Sequence, residues 1–350
     1  MRLRKDCTLW ASGVLILLAA LGNAAEDPEV QKLAQEVGKK GWLVFSARTE
    51  KGDFDLFIAR PDGSGLRNIT NNPPYDDYGG RFSPDGKKLL FRCLKKGTSV
   101  NHVDWGHLGT LVIANADGSN PEDQGKENEY PWASWSPDGS RIACLYRREG
   151  KIRIFDLQTR KLVRESPNQG IFRQVQWSSD GERFCGTANV AGGAWNIGAI
   201  EIKAGKFTQV SRGVSCTPDW FQSDPMRILY SNGDGRDNDQ GWTTLMQGRA
   251  DGKSRSLIYA ERKQHIYFGC TSPDDQYVVF SRRSHNDGPI EGPMAIVRLA
   301  DTPIIGPEAY PLADTKFPNA RRGPVCLLDK LPKGFEPHWT YADVGGLPTQ

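Results

Sequence analysis

Five histidines are the side chains best suited to transfer protons or bind a metal ion, because the unperturbed pKa of imidazole lies near neutrality. They are His102, His107, His265, His285 and His338. His102 and His107 share one segment with Asp104 and Trp105. If His102, His107 and His338 met at one point, they could bind a divalent metal ion and leave a position open for substrate. If these three histidines do not lie close together, the sequence predicts no cofactor.

Tryptophan side chains add a second kind of chemistry, because their large faces anchor protein interfaces and stack on sugar rings. Trp132, Trp195 and Trp242 join Trp105 in this group. The candidate residues for binding a ligand or a partner are therefore His102, Asp104, Trp105, His107, Trp132, Trp195, Trp242, His265, His285 and His338. No catalytic residue is assigned.

The sequence lacks the residue motifs of several other kinds of functional site. There is no Gly-x-Ser-x-Gly elbow for a serine nucleophile and no Cys-x-x-Cys pair for redox chemistry or zinc. The run 232–239 (NGDGRDND) is rich in oxygen ligands, but it lacks the spacing of an EF-hand and is better explained as a solvated loop. A formal net charge of +3 over 350 residues gives no basic face for a nucleic acid.

A repeated turn motif shows which elements must position these residues. The motif is SPDG at 83–86 and 136–139, SSDG at 178–181 and SPDD at 272–275, with a degraded copy near Ser223. Each copy follows an aromatic or apolar segment and precedes a β-rich one. The copies lie about 40–55 residues apart, the period of a four-stranded propeller blade.

The aspartates of this motif look exposed, yet turn formation explains them fully. In such a turn proline sets φ, the aspartate caps the turn and glycine adopts a positive φ. We therefore interpret Asp85, Asp138, Asp180 and Asp274 as structural turn residues.

The two ends of the repeat region complement each other. The segment 41–45 (GWLVF) matches a second strand without a first, and 337–340 (PHWT) matches a first strand without a second. The sequence thus predicts an all-β, six-bladed β-propeller whose ring is closed when the C-terminal strand joins the N-terminal blade. The irregular segment 301–336 must supply a fourth strand near Val325–Leu328; a seventh blade there is the alternative.

The order of the strands within each blade then determines on which face of the propeller each loop lies. The short turns between first and second strands lie on one face (the turn face), and the long loops between second and third strands, and between blades, lie on the other (the loop face). All five histidines are predicted on the loop face, where function tends to concentrate.

The repeats resemble those of the TolB family. The segment 136–142 (SPDGSRI) and the run 69–72 (ITNN) before Tyr75 and Asp76 carry the resemblance, which covers 42–340. It implies a propeller and, from TolB itself, binding of protein partners in the cell envelope. The resemblance predicts the propeller part only, without TolB's additional N-terminal domain. Exported oligogalacturonate lyases have similar repeats, but their Gln-x-x-His-x-His motif is missing.

The N-terminal segment predicts export. Basic residues at positions 2, 4 and 5 precede an apolar run, 9–21, that ends in small residues, as in a cleavable signal peptide. The predicted organisation is a signal peptide over 1–24, a linker or short helix over 25–40, the propeller over 41–341 and a tail over 342–350. No transmembrane segment is expected after cleavage, so the mature chain is placed in the periplasm or outside the cell. Its six cysteines are interpreted as buried thiols, with disulfides as the alternative.

Three functions stay open. The first is a binding platform for a protein partner in the envelope. The second is a carbohydrate or small-ligand site at the mouth of the channel. The third is a metal-dependent, lyase-like enzyme acting on polysaccharides. The oligomeric state and the identity of any partner are not predicted.

Overall fold

Short antiparallel strands pair into six sheets in the computed structural model, which describes residues 27–98, 109–189, 195–233, 243–284, 291–299, 303–306 and 320–344. The innermost strands are β4 (Tyr75–Phe82), β8 (Trp132–Trp135), β12 (Ile171–Trp177), β16 (Ser215–Trp220), β20 (Gln264–Thr271) and β26 (Gly334–Thr340). The second strands are β1 (Trp42–Arg48), β5 (Lys88–Lys95), β9 (Arg141–Tyr146), β13 (Arg183–Asn189), β17 (Arg227–Asn232) and β21 (Tyr277–Ser284).

The outer half of each sheet is shorter. The third strands are β2 (Phe54–Ala59), β6 (Thr110–Asn115), β10 (Lys151–Asp156), β14 (Trp195–Glu201), β18 (Thr244–Arg249) and β22 (Met294–Arg298). The fourth strands are β3 (Arg67–Asn68), β7 (Glu122–Gln124), β11 (Leu162–Pro167), β15 (Phe207–Gln209), β19 (Arg255–Ala260) and β25 (Cys326–Leu327). Apolar clusters between neighbouring sheets form the core, so the all-β propeller class is confirmed.

The prediction of a six-bladed propeller is wrong in its blade count. Five sheets have the four-stranded form, whereas the sheet that begins with β16 has six strands. Its two additional strands are β23 (Ile304–Ile305) and β24 (Arg321–Arg322), which pair in parallel outside β19. Segment 301–336 thus extends a neighbouring sheet and forms no seventh blade among the described residues. Its predicted fourth strand near Val325–Leu328 is confirmed as β25, which pairs with β22.

The C-terminal strand closes the ring as predicted. Strand β26 pairs antiparallel with β1, and Trp339 lies opposite Leu43. Trp339 is fully buried, and its Nε1 donates a hydrogen bond to the Lys40 carbonyl at 2.7 Å. The two chain ends therefore hold one sheet together, so the ring has no open sheet edge at this joint.

Serine and aspartate shape the repeated turns through one hydrogen-bond pattern. In the first turn, the Ser83 hydroxyl donates to Asp85 Oδ1 at 2.6 Å, and the Lys87 N–H donates to the same oxygen at 3.1 Å. The same serine-to-aspartate bond occurs at Asp138, Asp180 and Asp274. The hydroxyl of Ser83 keeps the pKa of Asp85 below its usual range. These carboxylates serve the turns of the fold.

Indole N–H groups join neighbouring inner strands. Trp135 Nε1 donates to the Arg81 carbonyl at 3.1 Å, and Trp220 Nε1 donates to the Gln176 carbonyl at 2.9 Å. Each bond connects an inner strand to the inner strand of the preceding sheet. The aromatic residue before the turn motif is therefore a structural tie between blades.

A helix, α1 (Pro28–Val37), packs on the sheet that contains β21. Asp27 caps it by accepting a hydrogen bond from the Glu29 N–H at 2.9 Å, and Pro28 occupies the first turn. Leu33 and Val37 are buried in the same apolar cluster as Trp339. The helix therefore packs where the sheet that contains β21 meets the sheet that closes the ring.

Four of the six cysteines of the described residues are buried, which fits their interpretation as small apolar side chains. None of the described helices is long and apolar enough to cross a bilayer. The predicted signal peptide lies outside the described residues.

Candidate functional site

Five inner strands contain a β-bulge at the same place. In each bulge one residue adopts a positive φ, between 48° and 66°: Gly79, Gln174, Thr217, Phe268 and Glu336. Each lies four residues before the position at which its strand turns. Only one is glycine, although side chains rarely adopt this backbone conformation. A bulge redirects a side chain, and strained residues of this kind concentrate at functional sites.

The five redirected residues and one residue of the remaining inner strand form a ring around the axis, here called the bulge ring. Its members are Gly79, Trp132, Gln174, Thr217, Phe268 and Glu336, and Trp132 comes from the one inner strand without a bulge. They line a cavity of only about 20 Å³. That space holds about one water molecule. The channel is therefore nearly blocked at this level.

A buried ion pair fills the bulge ring. Arg92 Nη2 donates to both carboxylate oxygens of Glu336, at 3.0 and 2.9 Å, and the guanidinium lies 4.0 Å from the ring centroid of Trp132. The two charged side chains are 4% and 5% exposed. A Cβ at position 79 would lie 2.7 Å from Glu336 Oε2, which explains the glycine there. The pair links the closing strand β26 to β5 of the next sheet.

A second ring lies two residues further along each inner strand, toward the turn face. This mouth ring consists of Arg81, Ser134, Gln176, Asp219, Cys270 and His338. Arg81 and Asp219 form an ion pair although two inner strands separate β4 from β16 in either direction around the ring. The ion pair therefore spans the axis. Burial raises the pKa of the Cys270 thiol to about 12, so this group is a protonated thiol near neutrality.

His338 is a neutral hydrogen-bonding group in the mouth ring. Burial, and then the positive charge of Arg81, hold its pKa well below its usual range. Its Nδ1 accepts the backbone N–H of Phe82 at 3.3 Å, so the remaining proton is on Nε2. The ring therefore combines one fixed ion pair with amide, hydroxyl and imidazole groups.

The mouth ring is the floor of a depression of about 450 Å³ that opens on the turn face. Aromatic side chains surround this turn-side mouth: Trp135, Trp177, Trp220, Phe82 and Tyr341. Most are buried, whereas Trp177 is half-buried and Tyr341 is 37% exposed. The result is a concave site with polar groups at its centre and aromatic groups at its rim, the general form of a ligand or interface pocket.

The predicted site residues are distributed differently. His338 is not on the loop face, because β26 begins at Gly334 and His338 lies near the turn-side end of the strand. The loop-side candidates Trp132 and His265 are buried, and Trp195 is half-buried against Phe172, with ring centroids 5.4 Å apart. The candidates outside the described residues are His102, Asp104, Trp105, His107, Trp242 and His285.

No three His, Cys, Asp or Glu side chains of the described ranges lie close enough together to hold a metal ion. The strands that flank residues 99–108, β5 and β6, end and begin on the loop face, opposite the mouth in which His338 lies. The predicted grouping of His338 with His102 and His107 therefore receives no geometric support from the described part of the chain.

Sequence reasoning missed Arg81, Gln176 and Asp219 in the mouth ring, and the Arg92–Glu336 pair below it. The sequence could have indicated the mouth ring, because each of its members lies two residues before the position at which its inner strand turns. No sequence signal connects Arg92 to Glu336, which lie 244 positions apart.

A buried carboxyl lies away from both rings, near the loop-side end of β4. Asp77 is 1% exposed, and its Oδ1 has no hydrogen-bond partner among the described residues. Burial raises its pKa to about 7, while hydrogen bonds from Cys93 and Thr70 oppose that rise. The neutral acid is therefore the form that the fold favours.

Asp77 should make stability depend on pH. The folded state keeps a proton that the unfolded state releases between about pH 4 and about pH 7, so stability falls across this window and is constant above it. The loss is about 4 kcal/mol. We expect Asp77→Asn to raise the urea midpoint more at pH 8 than at pH 5. Asp123→Asn, at an exposed site, should change the urea midpoint little and by the same amount at both pH values. If the urea midpoints of Asp77→Asn and of the wild type depend on pH in the same way, this assignment is contradicted.

Comparisons with known proteins support the fold. No family model matches the sequence, and neither does any curated protein. Among solved structures, TolB from Acinetobacter baumannii is similar with a TM-score of 0.58 and 16% identity, over 85% of this chain and 66% of that chain. The present chain thus spans just under two thirds of that TolB.

Two further structures are similar over most of their length. A TolB candidate from Agrobacterium tumefaciens has a TM-score of 0.55 and 18% identity, over 85% of this chain and 90% of that one. A chain of a nidogen/laminin complex has a TM-score of 0.54 and 8% identity, over 74% and 90%. These identities are low, so the similarity establishes a TolB-like propeller fold and leaves the activity open.

Proposed function

We propose that this TolB-like propeller is a platform that binds a protein partner through its turn-side mouth. The proposal rests on the depression of about 450 Å³ above the bulge ring. Aromatic side chains surround this depression, and the bulge ring nearly closes its base. A partner can insert a side chain or a chain end there, but the nearly blocked bulge ring leaves no route through the molecule. The site therefore suits recognition of a surface feature.

The composition of the mouth favours a protein partner. Trp, Tyr and Arg are enriched at interface positions that contribute most to binding, and the mouth offers Trp177, Tyr341 and Arg81. Arg81 is already paired with Asp219, so neither charge needs a bound ion to neutralise it. Gln176, Ser134 and His338 supply hydrogen-bonding groups at the centre.

Rigidity lowers the cost of binding. The mouth ring is carried by strands, and the indole ties of Trp135 and Trp220 hold neighbouring strands in place. A rigid site loses little conformational entropy when a partner binds. We place the partner in the cell envelope, which is where the predicted signal peptide would deliver the chain. By analogy, the neighbours described as TolB support a partner in the envelope, and the neighbour from a nidogen/laminin complex supports only a protein partner.

Two tyrosines of nearly equal exposure allow a matched test. Tyr341 (37% exposed) stands at the turn-side mouth, and Tyr75 (38% exposed) stands at the loop-side end of β4. We expect Tyr341→Ser to weaken capture of the partner from an envelope extract about tenfold, because it removes a rim anchor. Tyr75→Ser should leave capture unchanged.

Quantitative mass spectrometry of the captured proteins measures both effects. If Tyr75→Ser abolishes capture and Tyr341→Ser does not, the turn-side mouth is not the binding face. If no protein is captured but a glycan array is bound through the mouth, the carbohydrate alternative replaces the platform.

A further inference from the structure

A cleft larger than the turn-side mouth separates two consecutive blades. It lies between the sheet β4–β7 and the sheet β8–β11 and has a volume of about 930 Å³. Turn residues of both blades border it, including Ser83 and Asp138, so the cleft opens on the turn face. The intervening inner strand, β8, is only four residues long and is the one without a bulge. The cleft thus separates these two blades on the turn face.

The floor of the cleft is apolar. Tyr130 and Trp135 are buried there, whereas Ile113, Phe155 and Leu157 are only half-buried. The Tyr130 and Phe155 rings contact each other edge to face, with centroids 5.4 Å apart. Half-buried apolar side chains at the base of a cleft favour a ligand that brings an apolar group of its own.

The rim of the cleft is acidic. Its lining includes Asp85, Glu122, Asp123, Glu129, Asp138 and Asp156. Two basic residues, Lys88 and Arg160, also line it, so six acidic and two basic side chains give a formal charge of −4. The whole chain has a net charge of +3. The negative charge is therefore a local property of this cleft.

Part of that charge is not compensated by ion pairs. Asp123 and Glu129 form none with any residue the structure describes, and Asp123 is exposed. Glu122 pairs with Arg160 at 2.6 Å, which joins the two blades. Both members of this pair are exposed, Glu122 at 59% and Arg160 at 75%, so water screens the pair and an incoming cation can replace Arg160 at little cost.

We propose that this cleft binds an extended protein segment in which basic residues flank an apolar side chain. The apolar side chain would contact Phe155 and Leu157, and the flanking cations would lie beside Asp123 and Glu129. Charge complementarity with the acidic rim selects the occupant. The inference rests on the proposed function only in taking the ligand to be a protein; it concerns a neighbouring cleft, which shares Ser83, Pro84 and Trp135 with the turn-side mouth.

Synthetic peptides test this directly. The probe is a fluorescein-labelled heptapeptide, Gly-Lys-Leu-Lys-Phe-Lys-Gly, and its counterpart has glutamate in place of each lysine. We expect the lysine peptide to bind the purified chain, with an affinity that falls as salt rises, and the glutamate peptide to bind at least tenfold more weakly. Fluorescence anisotropy measures the dissociation constants.

Charge reversal locates the site. The double variant Asp123→Lys with Glu129→Lys should weaken the lysine peptide roughly tenfold. Glu127→Lys is the control and is compared with Asp123→Lys alone, so that the change in charge is equal; Glu127 is exposed close by but does not line the cleft. Glu127→Lys should change the dissociation constant less than twofold. Phe155→Ser tests the floor and should also weaken the peptide, while far-ultraviolet circular dichroism verifies that each variant is folded.

Two results would overturn the inference. One is failure of the wild-type chain to bind the lysine peptide at low salt. The other is equal weakening by Glu127→Lys and by Asp123→Lys alone, which would indicate a general electrostatic effect. Either result leaves the platform proposal intact, because capture through Tyr341 is measured separately.

Discussion

Arg92→Leu should lower the free energy of unfolding by about 3–5 kcal/mol, because it leaves the Glu336 carboxylate buried without its partner. The substitution also removes the guanidinium from the face of Trp132. The variant should unfold at a lower urea concentration. Its bulge ring should also lose order, which hydrogen exchange of the inner strands would detect.

A second substitution separates loss of the pair from loss of packing. Adding Glu336→Gln to Arg92→Leu removes the uncompensated charge and should restore part of the stability. Arg160→Leu is the control, since its exposed pair with Glu122 contributes at most about 1 kcal/mol. A loss below about 1 kcal/mol for Arg92→Leu would show that the pair does not hold the bulge ring together.

Trp339→Ala should have an effect of similar size, about 3–5 kcal/mol, because it leaves a cavity where a fully buried indole was. It also removes the hydrogen bond to the Lys40 carbonyl and the contact with Tyr277. Strand β26 holds the ring closed through β1, so we expect the two terminal segments to separate first on unfolding.

Hydrogen exchange and a second tryptophan provide the comparison. Amides of β26 and β1 should exchange faster in Trp339→Ala than those of the sheet β12–β15. Trp195→Ala, at a half-buried site, should cost much less. If Trp339→Ala unfolds with the wild-type midpoint, ring closure does not depend on this strand.

The turn motif made most of the fold predictable from local chemistry. A serine, an aspartate and a glycine at fixed spacing specify one hairpin, and its repetition specifies the sheets and the closing strand. The predicted blade count failed at segment 301–336, because β23 pairs in parallel with β19, more than 40 residues earlier in the sequence, and β24 pairs in parallel with β23. No local signal indicates such a pairing.

The site was less predictable because it depends on bulges. One additional residue in a strand changes which side chains face the channel. Gln174, Thr217 and Glu336 adopt a positive φ inside strands, and no turn-forming residue in the sequence indicates this conformation there. The prediction that His338 lies on the loop face starts its strand at Pro337, whereas the strand begins at Gly334.

Site-specific photo-cross-linking tests the central claim most directly. Two tryptophans of the same sheet would each be replaced by p-benzoylphenylalanine: Trp177 at the turn-side mouth, and Trp195 at the loop-side end of β14. Both variants would be irradiated in cells that produce the protein. The account predicts a cross-linked partner from position 177 and none from position 195; a partner cross-linked only from position 195 would contradict it.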